Sequence, residues 1–113
     1  MITCLRDMRI TAVSFALLLA ACTSGATSTG IQEVTCPPDS TLTYANFGQA
    51  MVSTECMSCH ADKSPKLATQ ESIKAHAADI LDTAVYTDAM PQDGTMSIEE
   101  RQLLGEWLAC GAP

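Results

Sequence analysis

The sequence predicts an all-α protein, and three observations carry that expectation. Apolar residues recur at spacings of three and four along three separate stretches, the pattern that lines one face of a helix. Almost nothing in the chain alternates apolar with polar residues as a half-buried strand does. Near the end, Ser97 and Glu100 stand three positions apart ahead of an apolar run, the spacing of a capping box at a helix start.

The 113-residue chain opens on a segment unlike the rest. Ile10 to Ala21 is an uncharged run of 12 residues preceded by Arg6 and Arg9. A bilayer-spanning helix needs about 20 apolar residues, so this run is too short for one. A basic start, a short apolar run and a small-residue end describe an export signal instead. Met8 serves equally well as the first residue of such a signal. Leu19-Ala20-Ala21-Cys22 resembles the lipobox of bacterial lipoproteins, which implies cleavage before Cys22 and lipidation of that cysteine. Thr23 stands where inner-membrane lipoproteins usually carry Asp, so the resemblance favours the outer membrane. Residues 1–21 are thus expected to be a signal peptide. The 92 residues left are too few for two ordinary domains.

Removing that segment sharpens the charge. Lys63, Lys66, Lys74 and Arg101 then face twelve carboxylates, one unit more negative than the −7 of the whole chain. Nucleic-acid binders carry a basic patch, so that class is excluded as a partner. Electrostatic docking on anionic lipid is disfavoured too, leaving an acyl chain on Cys22 as the membrane attachment.

Thr23 to Thr35 is rich in Ser, Thr and Gly and has no apolar period. Residues 22–35 are expected to be a lipidated cysteine and flexible tether, with a reach of roughly 20 Å. The folded domain, residues 36–113, follows with Pro37-Pro38 as an extended lead-in. The first helix is expected from about Ser40 to Cys56, with Tyr44, Phe47, Met51 and Val52 on one face. The second is expected from about Thr69 to Ala84, with Ile73, Ala77, Ile80, Leu81 and Ala84 as its stripe. The third starts at the Ser97 cap, buries Leu103, Leu104, Trp107 and Leu108, and stops at Gly111. Aromatic content is only 4%, so a chain of this size has difficulty filling a core alone.

Cysteine usage points to the chemistry. Setting aside Cys4 and Cys22, an even number remains: Cys36, Cys56, Cys59 and Cys110. Cys56-Met57-Ser58-Cys59-His60 is a C-x-x-C-H string, the signature of covalent c-type haem attachment. Two thiols at that spacing add to the two vinyl groups, and His60 follows as proximal iron ligand. A thioredoxin-like redox pair would want a βαβ context, which does not flank the string. A structural zinc site would want a second ligand pair, and only His76 and two remote cysteines are available. A disulfide across the two-residue gap would leave His60 without a purpose. One covalent haem would also supply the apolar mass that the core lacks.

From Cys36 to Pro113 the chain resembles small monohaem class I c-type cytochromes. Cys56-Met57-Ser58-Cys59-His60 is the most specific element of that likeness. Gly48, eight residues before Cys56, sits where that family crosses its first and last helices. Leu104 and Trp107 match the apolar and aromatic pair of its last helix. Pro65-Lys66-Leu67 resembles the segment whose proline carbonyl takes the proximal histidine's second N–H, a bond that fixes the tautomer and orients the ring. Ala89-Met90-Pro91 resembles the distal-ligand loop, which implies Met90 as the second iron ligand. Met96, its direction set by the Ser97 cap, and His76, expected on the surface of the second helix, remain competitors; Met57 points wrongly. Only 30 residues separate His60 from Met90, so one haem edge is expected to be bare. Where first and last helices cross, the chain ends approach, which makes a Cys36–Cys110 disulfide geometrically credible. A free thiol suits an oxidising compartment poorly, and closing 74 residues would add about 4 kcal/mol in the chain-entropy account. Tyr44, Tyr86 and Trp107 are candidates to touch the haem.

The resemblance implies an exported, lipid-anchored single-electron carrier facing the periplasm, with no enzymatic activity of its own. Its partners would be periplasmic or membrane redox proteins. The alternatives are a haem-based sensor or ligand-binding module, and an electron-transfer subunit of a periplasmic dehydrogenase.

Overall fold

The computed structural model of the protein describes residues 25–93 and 95–113. The proposed signal and the lipidated Cys22 lie outside the described residues. Within them the chain is helical, with five α-helices and two π-helical turns. Among the described residues no helix is long and apolar enough to cross a membrane.

The first helix begins later than the apolar spacing suggests, because Thr43 supplies the cap. Its Oγ1 accepts from the Asn46 N–H at 3.1 Å, and Asn46 Oδ1 accepts from the Thr43 N–H at 2.7 Å. A π-helical turn, Tyr44–Gly48, then runs into α1, Gln49–Glu55. Helix α2, Met57–His60, follows after Cys56.

The expected second helix is broken. It divides into α3, Gln70–Ala75, and α4, Ala77–Ile80, continued by the π-helical turn Leu81–Val85. The break falls at His76, whose φ of −108° and ψ of 16° leave the helical region. No Gly or Pro marks that position, and its apolar stripe survives: Ile73, Ile80 and Ala84 are all buried.

Helix α5, Ile98–Ala109, matches its sequence signals at both ends. Ser97 Oγ accepts from the Glu100 N–H at 3.1 Å, while Glu100 Oε2 accepts from the Ser97 N–H at 2.7 Å. At the other end Gly111 takes φ +90°. The Gly111 N–H donates to Leu108 O and the Ala112 N–H to Trp107 O, both at 2.9 Å, a Schellman close. The buried face differs from expectation. Leu103 is 41% exposed, and Arg101 takes a place in the buried stripe with Leu104, Gly105 and Leu108.

Helix α5 and the first helix meet through Gly48, where an added Cβ would fall inside the Trp107 indole. Tyr44 stacks on Trp107 and Phe47 meets it edge-on, with ring centroids 6.4 and 6.1 Å away. The Pro113 oxygen accepts from the Tyr44 N–H and, at 3.4 Å, from Trp107 Nε1. Cys36 and Cys110 are joined in a disulfide there, with Cα atoms 4.7 Å apart.

The described part of the expected tether is not free. Thr29 N–H donates to Tyr86 O at 3.0 Å, its hydroxyl to Val85 O at 2.6 Å, and the Asp88 N–H to Thr27 O at 2.9 Å. Val34 packs over Gly105, and its Cγ1 would lie 2.5 Å from a Cβ built there. Threonine hydroxyls and backbone groups hold this strap, and they leave no apolar period to read.

Candidate functional site

Cys56, Cys59 and His60 fall at positions i, i+3 and i+4 of one helical turn, which puts all three on one face. The chain then doubles back. Lys63 N–H donates to Cys59 O at 3.0 Å and Leu67 N–H to His60 O at 3.1 Å. This return brings the Pro65 carbonyl to 2.8 Å from His60 Nδ1. A carbonyl only accepts, so Nδ1 carries the proton and the Nε2 lone pair is left free.

That face borders a cavity of about 770 Å³, within the range of small-molecule and cofactor sites of about 300–1,000 Å³. Leu67, Ile80, Ala84 and Leu104 supply apolar wall, and Glu55, Lys63, Asp79 and Asp93 also line it. Met90 reaches the cavity from the loop ahead of α5, so all four residues assigned from sequence to one cofactor border one space.

The competitors are there as well. Met96, expected to be directed by the α5 cap, is buried and lines the cavity. His76, expected on a helix surface, is half-buried and lines it too. Its Nδ1 is fixed on Ser72 O at 2.8 Å, which leaves its Nε2 free in the same way as that of His60. Met57 borders a smaller cavity of about 130 Å³ beside Tyr44. Tyr44, Tyr86 and Trp107 do not line the large cavity; Tyr44 and Trp107 pack the helix crossing instead.

The two motif thiols are free, not bridged to each other. Burial, and secondarily the Glu55 carboxylate, push the Cys56 thiol up to about 11. A dithiol redox centre needs a depressed thiolate pKa, so the Cys56 environment runs against that chemistry. Among the described residues no group of three or more His, Cys, Asp and Glu side chains is placed to hold a metal ion.

Sequence reasoning missed Arg101. Its Nη1 donates to Ala84 O at 2.6 Å, Met90 O at 2.7 Å and Thr87 O at 3.3 Å. The available signal was its register, three and seven residues before Leu104 and Leu108 on the buried face.

Among the described residues, fold and site define a helical protein with a large, mostly apolar cavity bordered by thiols, imidazoles and thioethers. No family model, characterised protein or solved structure matches the chain.

Proposed function

We propose that this chain is an exported, lipid-anchored c-type cytochrome that holds one haem covalently and carries single electrons. The observation that carries the proposal is the convergence of Cys56, Cys59, His60 and Met90 on one cavity of cofactor size. The residues present fit a haem. Cys56 and Cys59 would hold it through thioethers, while His60 and Met90 would ligate the iron. The chemistry such a group supplies is one-electron exchange between ferric and ferrous iron, at a potential that methionine ligation raises.

The chain's own residues supply the rest. Pro65 fixes the His60 ring, so the Nε2 lone pair keeps one direction. Leu67, Ile80, Ala84 and Leu104 exclude water and lower the local dielectric. An imidazole and a thioether both committed to the iron would leave no position for substrate, which would suit a carrier rather than an enzyme. Docking partners would be periplasmic or membrane redox proteins, and Cys22 would keep the domain at the membrane.

The test is a denaturing gel stained for haem peroxidase activity, run on protein co-expressed with a c-type maturation system. A stained band at the mature size is expected, and it should vanish in Cys56→Ala/Cys59→Ala. A fully processed but stain-negative protein overturns the proposal. Replacing Cys22 by Ala should leave precursor or release the domain from membranes.

A further inference from the structure

Arg101 is the one buried charged side chain among the described residues. Taking a cation out of water is costly unless hydrogen-bond acceptors replace the lost hydration. Here the acceptors are backbone carbonyls alone: Ala84 O, Thr87 O and Met90 O. Ala84 lies in the last turn of a helical stretch, where unpaired carbonyls gather negative partial charge and favour a cation. Thr87 and Met90 lie in the loop that follows, so one side chain joins helix α5, the end of the π-helical turn and residue 90.

Met90 is held from its other backbone group as well. Its N–H donates to Thr83 O at 2.7 Å. With N–H and carbonyl both engaged, the Met90 Cα has a fixed place at the cavity wall, and the thioether starts from a defined point. The strap adds bonds to the same stretch of chain, through Thr29 to Val85 O and Tyr86 O.

We propose that Arg101 is a positioning residue for Met90: its guanidinium fixes the Met90 carbonyl so that the thioether is delivered to the cavity rather than to solvent. This rests on the proposed haem site with Met90 as distal ligand. Lysine is a poor substitute, because all three bonds leave Nη1, and a lysine ammonium ends one bond short of that position.

The experiment uses the haem-loaded chain and measures the fraction of ferrous haem that takes carbon monoxide, with the haem-stained gel reporting covalent attachment. Arg101→Met is expected to keep the stain and to raise the carbon-monoxide-reactive fraction at least tenfold, with Arg101→Lys between it and the parent. Ser97→Ala weakens the same helix through its cap without touching the loop, and should leave the haem unreactive. Met90→Ala separates the two levels. If that variant stays unreactive, the distal assignment itself fails and the Arg101 role falls with it. If Met90→Ala becomes reactive while a folded Arg101→Met does not, only the Arg101 role is overturned. Should Arg101→Met not fold, two measurements decide. Arg101→Lys at the parental reactive fraction overturns the role. In the unmodified chain the Met90 amide should exchange as slowly as those of α5, and exchange at the rate of an exposed loop overturns it too.

Discussion

Because Cys56 titrates near 11 in the folded chain against an ordinary 9.0, the folded state keeps a proton that the unfolded state has released across that interval. A raised thiol pKa therefore stabilises the fold fully below about pH 9, and that contribution is lost as pH rises toward 11. Two pKa units correspond to about 2 kcal/mol after allowing for partial exposure. Lys and Tyr titrate in the same window, so the measurement is a difference. Haem-free protein should lose about 2 kcal/mol more than Cys56→Ala between pH 8 and 11, read from urea midpoints. Attachment of the proposed haem through Cys56 would consume the thiol, and in loaded protein the difference should then disappear. The three distal candidates are separable by the same logic of single side chains. Met90→Ala should give high-spin or newly ligated haem with attachment intact, whereas Met96→Ala and His76→Ala should keep the parental visible spectrum. Met90 differs from Met96 in having its backbone clamped by Thr83 and Arg101, while His76 sits at a helix break with its ring tied to Ser72. A high-spin His76→Ala beside an unchanged Met90→Ala would transfer the distal role to the histidine.

Elements were legible in the sequence to the degree that side chains announce them locally. Helix α5 carries its start in Ser97 and Glu100 and its stop in Gly111, and all three act as the chemistry requires. The break at His76 had no such marker, since Lys74, Ala75 and Ala77 raise no objection to a continuous helix. Arg101 and Leu103 traded places because hydrophobicity alone assigns arginine to solvent; carbonyls gathered from a distant loop cannot be seen in a local window. The strap over Thr27–Val34 was hidden for a related reason, being held through its own backbone and hydroxyls. At the cavity, the Cys56 to His60 string was plain from spacing, yet the sharing of one cavity by Met90, Met96 and His76 is a tertiary result. The crossing of α5 with the first helix offers an element-scale test. Gly48→Ala drives a methyl into the Trp107 ring, and neither helix backbone can retreat without uncoupling the aromatic cluster. Overpacking of that kind costs about 1–3 kcal/mol, so thermal or urea unfolding should show a loss of about 2 kcal/mol. Gly25→Ala, where a Cβ meets nothing within 4 Å, should stay within about 0.5 kcal/mol of the parent.

At the scale of the whole molecule, the two ends of the folded domain are brought together twice over. Cys36 and Cys110 are bonded across 74 residues. Independently, the Pro113 oxygen takes the Tyr44 and Trp107 N–H groups, and Ser40 Oγ donates to Glu106 Oε1 at 2.5 Å. The folded chain therefore has contacts that hold its ends in place when the bridge is absent, so the bridge acts chiefly on the unfolded state. Closing a loop of this length removes unfolded-state entropy equivalent to about 4 kcal/mol. Reduction, or the Cys36→Ser/Cys110→Ser pair, should accordingly lower stability by about 4 kcal/mol in urea titrations. The loss should fall mainly on the refolding rate, with unfolding accelerated only slightly, because the native contacts around Trp107 persist. Intact-mass measurement under alkylation should find Cys36 and Cys110 protected until reductant is added. Two thiols alkylated in the native protein would show the ends held by hydrogen bonds and aromatic packing alone.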